Sequence, residues 1–176
     1  MERKNEVILN YILQITLMKL STFICGLFIN LLAFGQQPVT TNLIDVTTKK
    51  PAKWSTYVDL QNLKIEYKFV DCNPSMGYDQ ELLLFKFTNK SDAQVSIAWH
   101  AQQYYGGTCK TCNYPDEYGF SLVLEAGESD EGSCALEAKR ELVIFSKFTD
   151  INYHGEAAPL TSFQLNGLIV TTIENN

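Results

Sequence analysis

Cys109-Lys-Thr-Cys112 is the cysteine spacing in this chain with the widest chemical repertoire. Two thiols so placed can exchange disulfides when the first caps a helix after a strand, because the helix dipole lowers its pKa. They can form half of a tetrahedral zinc site. In an oxidising compartment they belong to a disulfide framework. Gly106-Gly107 before the pair and Pro115 after it make a loop rather than a helix start, which tells against redox catalysis. Cys72 and Cys134 stand singly, so the second C-x-x-C half of a zinc site is missing. Disulfides among Cys72, Cys109, Cys112 and Cys134 are therefore the expectation, and a metal-binding protein using these four thiols is the alternative. Four cysteines allow three pairings. Larger closed loops stabilise more and a bond inside C-x-x-C is strained, so Cys109 and Cys112 are each expected to pair outward, with Cys72 and Cys134.

Four tyrosines surround the pair: Tyr104, Tyr105, Tyr114 and Tyr118. On a stiffened loop such residues offer large, rigid contact area with a hydroxyl for polar contacts, and they are the candidate binding residues. The competing expectation is that two or more of them pack onto the core. Other constellations are weaker. His100 and His154 are the only histidines and fall on different elements, so a two-histidine site is not expected. G-x-S-x-G does not occur. Glu125, Glu128, Asp130 and Glu131 cluster without an EF-hand pattern and read as a solvated turn. No catalytic residue, metal ligand set or cofactor motif is assigned, so no enzyme is expected.

The elements that position these residues follow an N-terminal export signal. Leu20 to Phe34 is an apolar run preceded by Lys19, and Ala33-Phe34-Gly35 places small residues as a signal cleavage site requires. The run is shorter than the roughly 20 residues that span a bilayer. Residues 1–35 are read as a secretory signal peptide, with Met18 as an alternative initiator, and no stable membrane span remains if it is cleaved. An uncleaved anchor is the rival, since Val7 to Leu17 is also apolar. Cys25 belongs to this run and is signal-core filler. Export places the protein in the periplasm or cell envelope, or outside the cell. The 176 residues carry 14 Lys+Arg against 20 Asp+Glu, a net charge of −6, which excludes a basic nucleic-acid-binding face.

Residues 36–53 are polar and read as a leader with one short edge strand, and residues 54–176 as a single domain. Its hydrophobic period is two. Leu63, Ile65, Tyr67 and Phe69 alternate with Lys64, Glu66 and Lys68. Leu83, Phe85 and Phe87 share one face of the next strand while Leu82 and Leu84 take the other, so that strand is central. Val95, Ile97 and Trp99 follow, with His100 on the opposite face, then Phe120, Leu122 and Leu124. Ser129 to Cys134 is expected as a polar hairpin strand and Glu141 to Phe148 as a strong one. Phe163 and Leu165 are expected to face one way and Leu168 and Val170 another, with a β-bulge at the Asn166-Gly167 phase slip between them. About seven or eight strands with frequent turns indicate an all-β, antiparallel sandwich of immunoglobulin-like type. Trp99 resembles the buried tryptophan of immunoglobulin-like domains, without their Cys…Trp…Cys spacing.

If each strand crosses its sheet once, direction assigns every loop to an end. Cys72, Cys109, Cys112 and Cys134 all fall at one end and His154 at the other. The expected function is therefore that of an exported, non-catalytic β-sandwich with a binding or structural role, its partner a protein or glycan of unknown identity.

Overall fold

The strands form where the period-two pattern lies, because each buries one row of apolar side chains against the opposing sheet. The computed structural model describes residues 38–73, 79–149 and 158–173. Among the described residues, ten strands make two antiparallel sheets: β1 (Ile44–Asp45), β2 (Ser55–Asp59), β3 (Leu63–Cys72), β4 (Gln80–Asn89), β5 (Gln94–Tyr105), β6 (Thr108–Cys109), β7 (Gly119–Leu124), β8 (Ser129–Glu131), β9 (Val143–Phe148) and β10 (Leu160–Ile173). The first sheet runs β1-β10-β5, with β6 and β7 each pairing β5. The second runs β2-β3-β4, with β8 and β9 each pairing β4. The protein is a β-sandwich.

The core is the predicted one. Leu63, Ile65, Tyr67 and Phe69 of β3 and Leu83, Phe85 and Phe87 of β4 meet Val95, Ile97 and Trp99 of β5 and Phe163 and Leu165 of β10. Trp99 stacks on Phe87 with ring centroids 4.8 Å apart. Leu82 and Leu84 are buried on the outer face of the second sheet, in a smaller cluster with Cys72. The bulge lies between Asn166 and Ile169, with Gly167 at φ 63°. It shifts the strand's parity by one residue, so Leu168, expected to face away, shares the core side with Phe163 and Leu165.

The sandwich begins before Trp54. Val39 bridges Leu168, β1 pairs β10, and Val46 is buried in the core. Thr41 donates from its hydroxyl to the Leu165 carbonyl at 2.7 Å. Residues 38–46 are thus part of the domain, held mainly by backbone bonds that polar composition does not advertise.

The segment after β7 departs from the expected hairpin. β7 pairs β5 in the first sheet, whereas β8 pairs β4 in the second, so the Glu125–Glu128 turn is an arch between sheets. β8 does not cross its sheet. It covers Lys86 to Thr88, and β9 continues along the same edge of β4 from Leu84 to Gln80. The two are halves of one interrupted strand running the same way. β9 therefore ends at the Cys72 end of the sheet, and not at the opposite end as the one-crossing rule required. His154 lies outside the described residues, as does the 1–35 segment with Met18 and Cys25.

Between the two halves the chain loops out. Gly132 donates from its N–H to the Phe85 carbonyl, and a Cβ there would lie 2.4 Å from the Leu142 carbonyl oxygen. Only a residue without a side chain lets the two ends of this loop pass so closely. Cys134 sits in it.

Candidate functional site

Both pairs of cysteines are disulfides, joined differently from expectation. Cys72 bonds Cys134, with Cα atoms 5.7 Å apart, and Cys109 bonds Cys112, at 5.8 Å. The physical reason is the sandwich itself. The inward residues of β3 have odd numbers, so Cys72 points to the outer face of the second sheet, where the 133–141 loop brings Cys134. Cys109 is the cross-strand partner of Tyr104, which lies on the outer parity of β5 in the first sheet. Outward pairing would have to join opposite outer faces of the sandwich, roughly 10 Å or more apart. The Cα separation within C-x-x-C falls inside the usual disulfide range, so no distortion of the backbone is required.

All four cysteines nevertheless belong to one end. Cys72 is the register partner of Gln80. Tyr105, at the end of β5, donates its hydroxyl to the Phe145 carbonyl at 2.7 Å, and Phe145 pairs with Leu82.

The Cys109 loop is built by local chemistry. Gly106 and Gly107 have φ of 57° and 80°, the positive pair that a two-residue hairpin turn needs. This turn aligns Thr108 with Tyr105 and Cys109 with Tyr104. Thr111 then folds back onto β5, its buried hydroxyl donating to the Ala101 carbonyl at 2.8 Å and accepting from the Gln103 N–H at 2.9 Å. Lys110 donates from its N–H to the Gln103 carbonyl. His100, turned outward as expected, donates from Nε2 to the Thr111 carbonyl at 3.0 Å. A four-residue helix, α1 (Pro115–Tyr118), closes the segment.

The four tyrosines do not form one patch. Tyr105 lies on the inward parity, packs against the core and pins the two sheets together; burial, with the Tyr118 phenol nearby, raises its pKa far above the ordinary range. Tyr118 is half-buried under the Arg140 guanidinium, 5.4 Å from its ring centre. Tyr104 is half-buried on the outer face, its hydroxyl 3.7 Å from the Cys112 sulfur. Tyr114 is 57% exposed. The outward-facing pair at this end is therefore Tyr104 and Tyr114, with Tyr118 at the rim.

A polar network at the same end escaped the sequence reading. Lys50 ion-pairs Glu81 and donates to the Ser146 hydroxyl at 3.1 Å, and Ser146 donates to Glu81 at 2.7 Å. Burial alone would raise the Glu81 pKa, but the hydrogen bonds from Lys50 and Ser146, with the charges of Lys50 and Lys147, bring it below the usual carboxylate range. A signal existed in the sequence: Glu81 has the inward parity of Leu83 and Phe85. Serine beside lysine can make a nucleophile, but Ser146 is fully buried and Lys50 is engaged by a carboxylate. This network, with the Phe69 N–H donating to the Pro51 carbonyl, ties the segment after β1 to β3, β4 and β9 of the second sheet.

The acidic cluster is engaged internally. Glu128 accepts the Glu125 N–H at 2.7 Å, and Asp130 and Glu131 pair with Lys139 and Lys86. Among the described residues, no group of three or more His, Cys, Asp or Glu is placed to hold a metal, and no helix is long and apolar enough to cross a membrane. The chain matches no family model, no curated protein and no solved structure.

Proposed function

We propose that this is an exported protein that acts by binding, without catalysis, using the disulfide-bearing end of the sandwich. The observation that carries the reading is the division of labour there. Tyr105, Thr111, His100 and the Cys109–Cys112 bond fix the loop, while Tyr104 and Tyr114 remain on its outer side. A rigid loop that presents aromatic surface loses little conformational entropy on binding, which favours recognition of a protein or glycan partner. Two disulfides suit a periplasmic, envelope or extracellular setting. They also engage the four thiols that a zinc site would need as thiolates. We further read the sandwich as immunoglobulin-like, on the strength of Trp99 stacked between the sheets.

Two experiments test this. N-terminal sequencing of the exported protein should begin at Gln36, and thiol counting should find no free thiol and no zinc. Free thiols with stoichiometric zinc would replace the proposal with the metal-binding alternative. An array of glycans and envelope polymers, probed with the oxidised protein, should then give a signal that Tyr104→Ala plus Tyr114→Ala removes without shifting the unfolding midpoint.

A further inference from the structure

The 133–141 loop does more than deliver Cys134. Its ends meet where Gly132 touches the Leu142 carbonyl, and the Cys72–Cys134 bond fastens it over the outer face of the second sheet. Between loop and sheet lies a cavity of about 350 Å³. Its floor is Leu82, Val143 and Phe145, its lip is Leu136, and Gln80 and Arg140 supply polar atoms. Two features of the lining point to a ligand. Leu136 is 83% exposed, the most exposed large hydrophobic residue among those described, so folding gains little from it. Arg140 is the only charged residue among the described residues of the lining. Its acidic neighbour Glu117 stands at 3.7 Å with both side chains mostly exposed, so the guanidinium is only loosely engaged. The rings of Tyr118 and Phe120 beneath it keep it in place.

We propose that this cavity binds a small amphiphile with an apolar body and a single carboxylate. The body lies between Leu136 and Phe145, and the carboxylate faces Arg140, which offers paired N–H donors of matching geometry. No acidic residue is among the described lining residues, and Glu117 beyond them is only loosely paired with Arg140, whereas a cationic amphiphile meets that guanidinium. The volume is at the small end for ligand sites, which suits a chain of about eight carbons better than a long-chain lipid. The disulfide and the Gly132 crossing fix the loop that forms one wall of this open cavity. The site is distinct from the Tyr104 and Tyr114 surface and does not depend on it.

Calorimetric titration of the oxidised protein with octanoate, below its micelle-forming concentration, tests the proposal, with octylammonium as the charge-reversed control. Saturable one-to-one binding of octanoate is expected, at least about tenfold tighter than octylammonium. Arg140→Gln should weaken octanoate about tenfold. Leu136→Asp should weaken it as much while leaving the unfolding midpoint unchanged, because that side chain is mostly in solvent. Absence of saturable octanoate binding, equal affinity for the two ions, or binding untouched by both substitutions would each overturn the proposal. Neither substitution touches Tyr104 or Tyr114, so failure here is separable from failure of the tyrosine surface.

Discussion

Removing the two disulfides separately should have unequal effects. Cys72 and Cys134 are 62 positions apart, and Cys109 and Cys112 only 3. In the chain-entropy account the long loop is worth about 4 kcal/mol and the short one about 2 kcal/mol. The second value is an upper bound here, because Thr111 and Lys110 hold the short loop to β5 without the bond. The first is augmented by packing, since Cys72 is buried with Leu82 and Leu84. Cys72→Ala plus Cys134→Ala should therefore lower the thermal midpoint by roughly 10–15 °C, against less than roughly 6 °C for Cys109→Ala plus Cys112→Ala. Urea titration followed by tryptophan fluorescence gives the free energies, with slopes compared to detect changes in the unfolded state. Equal costs, or a larger cost for the C-x-x-C pair, would refute this account of what each bond does.

Four further outcomes follow from particular contacts. Asn89 is buried, donates to the carbonyls of Ala93, Leu124 and Glu125, and accepts from Ser91; Asn89→Ala should cost about 3 kcal/mol in urea titration by leaving carbonyls unpaired. The Glu81 carboxylate has a depressed pKa in the folded state, so its contribution is present above the ordinary carboxylate value and lost as pH falls through the folded one. Glu81→Gln should accordingly flatten the acid limb of a stability–pH curve, and an unchanged limb would contradict the network's role. Tyr105→Phe should cost about 1 kcal/mol by removing the bond to Phe145, and in alkaline absorbance titration the wild-type Tyr105 phenol should stay neutral until the protein unfolds. Gly132→Ala should destabilise by more than a surface substitution, because its Cβ meets the Leu142 carbonyl, and an unchanged midpoint would show that the loop can open freely.

What the sequence made legible was local. Alternation in Leu63 to Phe69, the two-sided apolar pattern of Leu82 to Phe87, and the parity slip at Asn166-Gly167 are each properties of a few consecutive residues, and β3, β4 and the β10 bulge appear where they indicate. The disulfide pairing was not legible, because it depends on which sheet each strand joins. The three residues of β8 carry too little pattern to reveal that they and β9 share one edge of β4. Residues 38–46 look like a linker because backbone bonds, the buried Thr41 hydroxyl and one buried valine hold them. Of the tyrosines, Tyr105 could have been separated from Tyr104 by parity alone, since it continues the inward row of Val95, Ile97 and Trp99. Glu81 was visible in the same way.

The most direct test of recognition by the disulfide-bearing end is a comparison of two variants on the same glycan and envelope-polymer array. Tyr104→Ala plus Tyr114→Ala should abolish the signal with an unchanged unfolding midpoint, whereas the Cys109→Ala plus Cys112→Ala variant should weaken it by loosening the same loop. A signal that both variants retain in full would contradict binding at this end.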